Sequence, residues 1–194
     1  KFNTIQGEIE AIEDISFDVN ENEFIAIVGP SGCGKSTLLS ILALLENKST
    51  GSLIYSVDNP IIGYMLQDDA LFEHLSVLDN VLLGLKIKKI DTKQNTDNAI
   101  DLLNKYGLSN FIHKKPSELS GGMKQRVALI RTLAINPDIL FLDEPFSALD
   151  FSTRLNVSDD VYKIIKNEGK SAILVTHDIS EALCYKVQPL IKMV

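Results

Sequence analysis

The sequence is poor in the residues that form disulfide frameworks, metal sites and membrane spans. Its two cysteines, Cys33 and Cys184, show no spacing typical of a disulfide framework or a metal site. No apolar run approaches the roughly 20 residues that cross a bilayer, and repeats and low-complexity tracts are absent. The net charge of −7 argues against nucleic-acid binding, because such a surface needs lysine and arginine to neutralise phosphates. We therefore expect a globular protein of a reducing, cytoplasmic compartment.

Length and composition suit one α/β domain, or a domain with a sizeable insertion. The chain has 194 residues, of which 45% are hydrophobic, an ordinary content for a protein with a packed core. It begins at Lys1 rather than at methionine, so we expect the natural terminus to lie upstream.

A glycine-rich segment at residues 29–37 has the pattern G-x-x-x-x-G-K-[ST], which cradles nucleotide phosphates. Its glycines let backbone N–H groups converge on an anion, and the helix that follows adds further donors. Lys35 is expected to reach the β- and γ-phosphates, and Ser36 to bind Mg²⁺. The alternative is a chance glycine-rich turn, but an apolar run before the segment and a helix-forming run after it favour the nucleotide site. The segment consists of Gly29, Pro30, Ser31, Gly32, Cys33, Gly34, Lys35, Ser36 and Thr37.

Hydrophobic periodicity predicts alternating strands and helices on both sides of a purely helical middle region. The predicted strands cover 13–19, 24–28, 52–57, 61–66, 139–142 and 172–176. The predicted helices cover 38–45, 77–85, 96–106, 122–135 and 153–167. We interpret residues 1–66 and 136–194 as a parallel-sheet nucleotide-binding core, and residues 67–135 as an inserted helical subdomain.

Two further strands end in side chains suited to phosphate chemistry. The strand before Asp143 and Glu144 and the strand before His177 should aim these groups at the phosphate loop, because ligands of such sheets bind beyond the carboxyl ends of the strands. Asp143 suits Mg²⁺, Glu144 suits activation of a water, and His177 suits contact with the γ-phosphate. A solvated turn after the strand is the alternative for the two acids. His74 and His113 are expected to be structural.

Residues 119–126, Leu-Ser-Gly-Gly-Met-Lys-Gln-Arg, favour one family among the many that share a phosphate loop. Alone, Ser120 before two glycines is a common helix cap. Together with FLDEPFSALD at 141–150, VTHD at 175–178 and Gln67 after a strand, the chain resembles the ATP-binding-cassette family of ATPases. The resemblance implies an α/β P-loop NTPase (RecA-like) core, a mainly parallel sheet, an antiparallel β subdomain and the helical subdomain.

The resemblance also implies a role for each motif residue. Residues 29–37 would bind the ATP phosphates, with Ser36 and Gln67 on Mg²⁺ and Asp143 holding that ion through water. Glu144 would act as the base and His177 would hold the γ-phosphate. In a head-to-tail homodimer, Ser120, Gly121 and Gly122 would contact the γ-phosphate of the ATP held by the second copy. Asp150 would link the two sites across the dimer.

Two features depart from the family pattern or are weakly defined. Met123 stands where glutamine is usual, but the contacts come chiefly from Ser120 and the glycine backbone, so we expect activity to persist. Phe2 is our candidate for stacking on adenine, with an exposed terminal aromatic as the alternative.

The resemblance further implies a peripheral subunit on the cytoplasmic face of the membrane that serves a permease and, indirectly, a solute-binding protein. The details of residues 63–85 and 147–164 are similar to the group that imports nitrate, sulfonate, taurine and related small organic anions. The permease would dock around residues 67–81, with Leu71 and Phe72 lining its groove, or both residues would pack inside the helical subdomain. A non-transport cassette and a P-loop kinase remain the alternative functions.

Overall fold

A five-stranded parallel sheet forms the centre of the computed structural model, which describes residues 2–4, 7–9, 12, 15–184 and 191–192. The strand order is β4-β5-β6-β3-β7. These strands are β3 (Phe24–Val28), β4 (Ile62–Met65), β5 (Ile139–Asp143), β6 (Ser171–Thr176) and β7 (Ile191–Lys192). A separate antiparallel pair joins β1 (Phe2–Thr4) to β2 (Gly7–Ile9). The predicted α/β class with a mainly parallel sheet is therefore confirmed.

Helices cover both faces of the sheet and fill the middle of the chain. They are α1 (Lys35–Leu42), α2 (Val77–Lys88), α3 (Lys93–Lys105), α4 (Gly121–Ala134), α5 (Phe151–Asn167) and α6 (Ile179–Cys184), with 3₁₀ turns at Ser109–Phe111 and Pro116–Glu118. Residues 67–135 contain helices and turns but no strand, while the subdomain boundary itself stays a prediction. Among the described residues, no helix has the length and apolar character that a bilayer crossing requires.

Alternating side chains on the strands divide the core into two layers. Phe141 of β5 packs with α1 on one face of the sheet, in a cluster that includes Ile25 and Ile27 of β3. Leu140 and Leu142, its neighbours along the strand, pack on the opposite face with α2, α4 and α5. Such burial on both faces is expected for parallel strands connected by helices.

The parallel arrangement brings four loops to one edge of the sheet. In the register of the strands, Val28 lies beside Thr176, Val175 beside Asp143, and Leu142 beside Met65. The phosphate loop, Glu144, His177 and Gln67 all follow directly after these strand ends. This edge of the sheet therefore brings together predicted site residues that are spread over more than 140 residues of the sequence.

Two predicted strands are wrong. Residues 52–57 form no strand. Of the strand predicted at 13–19, the structure describes residues 15–19, and these form no strand either. Ile54 is 86% exposed, and the Tyr55 hydroxyl donates to the carbonyl of Leu42 at the end of α1. The alternation of apolar residues at 52–57 therefore does not mark a strand, and the described contact of this segment with α1 is made by a tyrosine side chain.

Candidate nucleotide-binding site

The phosphate loop lies between the buried strand β3 and helix α1. Gly32 and Gly34 adopt φ angles of 84° and 93°, a left-handed conformation that costs glycine little. Gly34 caps α1 without any side-chain hydrogen bond, whereas the caps of α2, α3, α4 and α5 all use a side-chain oxygen. The first N–H groups of α1 therefore stay available, together with the helix dipole, to an anion.

Lys35 supplies a buried positive charge at the base of this loop. It is 4% exposed, and its Nζ donates to the carbonyls of Gly29 and Pro30 at 2.8 and 2.9 Å. The same Nζ lies 3.5 Å from Oε1 of Glu144. These contacts fold the lysine back over the loop, so its charge faces the space in front of the α1 N-terminus.

Glu144, the residue after β5, contacts the end of β6 through both its backbone and its side chain. Its Oε2 lies 2.8 Å from Nδ1 of His177, and its backbone N–H donates to the carbonyl of Val175 at 3.0 Å. The φ angle of Glu144 is 44°, a conformation that costs a residue with a side chain about 1–3 kcal/mol. A single carboxylate thus contacts both Lys35 and His177, the two predicted γ-phosphate groups.

Asp143 is held by two hydroxyl groups. Ser36 Oγ donates to its Oδ1 at 2.9 Å, and the Tyr64 hydroxyl donates to its Oδ2 at 3.0 Å. Burial, followed by the charge of Asp143, raises the pKa of Tyr64 to about 12, so the phenol keeps its proton at neutral pH. Sequence reasoning missed Tyr64, because its contact with Asp143 depends on the pairing of β4 with β5; its place three residues before Gln67 on a predicted strand was the one local signal.

A cleft of about 490 Å³ lies between the phosphate loop and the strand ends. It brings together most of the predicted phosphate and metal residues: Ser31, Gly32, Gly34, Lys35, Ser36, Thr37, Gln67 and Glu144. Cys33 is a free, partly exposed thiol outside this lining. Phe2 lies in β1, but its side chain is outside the described part of the chain, so adenine stacking stays a prediction.

The donor set of the cleft fits Mg²⁺. Hydroxyl, amide and carboxylate oxygens are the ligands this ion prefers, and it usually takes one or two from the protein and the rest from phosphates and water. Within the described residues, no group of three or more His, Cys, Asp or Glu side chains could enclose a metal ion. Ser36 donates its proton to Asp143, which leaves the serine lone pairs free for a cation.

A second cleft of about 420 Å³ surrounds the start of α4. Ser120 Oγ caps this helix by accepting from the N–H of Met123 at 3.3 Å. Asp150 likewise caps α5, accepting from the N–H of Thr153 at 3.1 Å and from the Ser152 hydroxyl at 2.7 Å. Hydrogen bonds from Thr153 and Ser152 lower the pKa of Asp150.

Among the residues that the structure describes, none lines both clefts. The second is lined by Ser120, Gly121, Gly122, Arg126, Ala148, Leu149, Asp150, Thr153, Asn156, Val157 and Asp160. The predicted residues Ser120, Gly121, Gly122 and Asp150 therefore share one cleft. Sequence reasoning missed Arg126 and the α5 residues Asn156 and Asp160, which line the same cleft.

The two glycines of α4 sit tightly against neighbouring side chains. A Cβ atom at Gly122 would come 2.7 Å from Cγ2 of Val157, and one at Gly121 would come 2.9 Å from Cδ2 of Leu149. Such distances lie below any ordinary contact, so a larger residue at Gly122 would displace Val157 or the start of α4, and one at Gly121 would displace the end of the Leu149 side chain.

An ionic cluster connects α5 with the loop that carries His177. Arg154 donates to the carbonyl of Leu149 at 2.9 Å and lies 3.4 Å from Asp178 and 3.8 Å from Glu181. Glu181 also accepts from the Thr176 hydroxyl at 2.5 Å. Burial raises the pKa of Glu181 above its ordinary value of 4.5. Sequence reasoning missed this cluster.

Leu71 and Phe72, the two residues of the predicted permease groove, differ in their exposure to solvent. Leu71 is 9% exposed and belongs to the hydrophobic core, whereas Phe72 is 46% exposed. Asn80 holds the Phe72 backbone at both its N–H and its carbonyl, at 2.8 and 3.1 Å. Leu71 therefore follows the packing interpretation, and Phe72 is presented at the surface.

Comparisons with known proteins point in one direction. A family model described as "ABC transporter" matches residues 12–147. An uncharacterised ABC transporter ATP-binding protein, YtlC of Bacillus subtilis (strain 168), is 50% identical over 185 residues, which is 93% of this chain and 71% of the relative. The taurine import ATP-binding protein TauB of Pelagibacter ubique (strain HTCC1062) is 42% identical over 188 residues, covering 94% and 71% of the two chains.

A solved structure with the same fold is the dimeric ATP-binding cassette MJ0796 in a post-hydrolysis state, bound to ADP and Pi. It is 31% identical, with a TM-score of 0.69, and the match covers 90% of this chain and 83% of that one.

Proposed function

The chain belongs to the ABC transporter family as an ATP-binding ATPase cassette, and from this premise we propose that it drives a solute importer by closing as a dimer around ATP. The single observation that carries the mechanism is the contact of Glu144 with both Lys35 and His177 at the mouth of the phosphate cleft. This contact groups a base, a buried cation and a hydrogen-bonding ring where the last phosphate of ATP would lie.

Each residue of this group has a distinct task in hydrolysis. The α1 N-terminus and Lys35 bind and orient the phosphate chain. Glu144 accepts the proton of a water whose oxygen bonds to the γ-phosphorus, while the bond from that phosphorus to the β–γ bridging oxygen breaks and ADP leaves. His177 orients Glu144 through the hydrogen bond at its Nδ1, and its other ring nitrogen, Nε2, would contact the γ-phosphate.

Ser36, Gln67 and Asp143 would hold Mg²⁺, which supplies charge neutralisation of the phosphates when bound. Ser36 contributes its free lone pairs, because its proton is given to Asp143. Gln67, which follows the end of β4, lines the same cleft, and its amide oxygen suits this ion.

The second cleft motivates the dimer. Ser120 caps the N–H of Met123, and the N–H groups of Gly121 and Gly122 ahead of it would form an anion site separate from the phosphate loop. A head-to-tail homodimer would put each second cleft over the ATP of its partner, with Asp150 near the link between the two sites. ATP then joins the copies and hydrolysis releases them.

The membrane side of the function follows from the relatives. Import subunits of this family work beside a permease, so we place this chain peripherally on the cytoplasmic face of the membrane, with Phe72 at the permease contact. The solute is proposed to be a small organic anion of the nitrate, sulfonate or taurine type, delivered by a solute-binding protein, on the strength of the taurine relative. A non-transport cassette is not favoured, since the relatives are named as transport proteins.

Substituting Glu144 tests the catalytic assignment and the dimer together. The E144Q variant keeps the size of the side chain and one acceptor oxygen but cannot accept the proton, so phosphate release should fall by at least about 100-fold. With ATP and Mg²⁺ it should also accumulate as a dimer, measured by light scattering during size-exclusion chromatography.

The exposed Glu46 offers a matched control. E46Q should hydrolyse ATP at the wild-type rate and remain monomeric after turnover. An E144Q protein that binds ATP yet stays monomeric at saturation would contradict the dimer mechanism, and one that turns over normally would contradict the base.

A further inference from the structure

We infer that Tyr64 is a positioning residue for the magnesium site: its hydroxyl fixes the Asp143 carboxylate so that Ser36 can present its oxygen to the metal. The inference rests on the proposed Mg·ATP function and extends it to a residue that lies outside the phosphate-loop motif. The carrying observation is that each oxygen of Asp143 accepts from a different hydroxyl, Ser36 at 2.9 Å and Tyr64 at 3.0 Å.

The sheet puts Tyr64 within reach of this carboxylate. Tyr64 lies on β4 beside Phe141 of β5, and its ring packs in the layer between the sheet and α1. Asp143 is two residues beyond Phe141 and so points to the same face of the sheet. The phenol therefore leans along the strand towards the edge where the phosphate loop begins.

Holding both oxygens limits rotation of the carboxylate. A carboxylate held at one oxygen can turn about its Cβ–Cγ bond and exchange the oxygen it offers to Ser36. With Tyr64 on Oδ2, Oδ1 stays directed at Ser36, whose hydroxyl proton then points away from the cleft. The serine lone pairs face the cation as a result. Partners that orient a metal ligand in this way typically contribute 10- to 100-fold in metal affinity.

A purely structural role for Tyr64 is the competing explanation, because its ring also fills space in the core. The two roles predict different measurements. Loss of packing would weaken ATP binding with and without metal alike, or lower only the melting temperature. Loss of positioning would weaken only the part of the binding that Mg²⁺ adds.

The experiment compares Y64F with wild type by isothermal titration of the non-hydrolysable analogue adenylyl imidodiphosphate, in excess EDTA and over a series of Mg²⁺ concentrations. Y64F removes only the hydroxyl. We expect the Mg²⁺ concentration for half-maximal tightening to rise about 10-fold, while affinity in EDTA stays within about twofold of wild type. Y64M, a second variant that keeps apolar bulk without a hydroxyl, should behave the same way.

Tyr55 provides the matched control. It is also a partly buried tyrosine whose hydroxyl bonds to a single acceptor, the Leu42 carbonyl, but it does not contact Asp143. Y55F should keep the wild-type Mg²⁺ response, and its melting temperature measures the cost of losing one phenol hydrogen bond.

The outcomes separate the inference from the function on which it rests. A wild-type protein whose nucleotide affinity does not respond to Mg²⁺ would overturn the magnesium site and this inference with it. A normal wild-type response that Y64F and Y64M retain unchanged would overturn the role of Tyr64 alone. An equal loss of affinity in EDTA and in Mg²⁺ would also overturn it, in favour of packing.

Discussion

Replacing Gly122 by alanine tests how closely α4 and α5 pack at the second cleft. The new Cβ would lie 2.7 Å from Cγ2 of Val157, and Val157 is 4% exposed and has a stiff, β-branched side chain. Overpacking of this kind costs about 1–3 kcal/mol, and alanine in place of a helical glycine recovers about 0.5–1 kcal/mol. We expect a net loss of about 1–2 kcal/mol in the free energy of unfolding.

Thermal unfolding measures this loss directly. For a chain of this size it corresponds to a fall of roughly 2–8 °C in melting temperature. Gly121→Ala is the control, because its Cβ would meet the flexible end of the Leu149 side chain at 2.9 Å and should cost less. In the double variant G122A/V157A the clash is absent, so the two substitutions should couple favourably by at least about 0.5 kcal/mol.

The same variants separate stability from function. G122A should bind ATP at its own phosphate loop normally but form the ATP-dependent dimer poorly, since the clash with Val157 would displace the start of α4, which forms the proposed site for the partner's phosphate. The double variant, in which Val157 no longer displaces α4, should be more stable than the sum of the two single losses predicts, and it should regain part of the dimerisation. If G122A melts with the wild type and shows no coupling to V157A, the α4–α5 contact is not as described.

Two other predictions concern the permease contact and the buried acid of α6. F72A should keep its basal ATPase activity and melting temperature but lose stimulation by the reconstituted permease. L71A should lose about 2–5 kcal/mol in the free energy of unfolding. Equal melting temperatures of the two variants would contradict the assignment of Leu71 to the core and Phe72 to the surface. Burial raises the pKa of Glu181, so its contribution to stability is full below pH 4.5 and is lost as the pH rises through the raised value. E181Q should therefore gain in melting temperature relative to wild type between pH 5 and pH 8, and parallel curves would contradict this.

Local sequence patterns predicted those parts of the fold that depend on local chemistry. The phosphate loop needs glycines and a lysine at fixed spacing, and the helices of the middle region follow from hydrophobic periodicity, although α3 begins at Lys93, three residues before its predicted start. The order of the motifs predicted the family, which the comparisons confirm. The roles of the site residues remain predictions, although the described structure brings most of them into two clefts.

The failures and omissions have a different origin, in contacts between distant segments. Alternation at 52–57 could not reveal whether a partner strand exists, because pairing depends on the rest of the fold. Tyr64 and Asp143 are 79 residues apart, and only the register of β4 against β5 brings them together. The Arg154 cluster likewise requires α5 to lie beside the loop after β6.

The end of β6 has a further consequence for how this protein can vary. The carbonyl of Val175 accepts from the N–H of Glu144, and the carbonyl of the adjoining Thr176 accepts from the N–H of Gly29. Two consecutive carbonyl groups thus fix the backbone of Glu144 and the start of the phosphate loop, and His177 is the next residue along the chain. Lengthening or shortening the chain by one residue here would misalign all three at once, so this short stretch should tolerate exchange of side chains far better than any change in spacing.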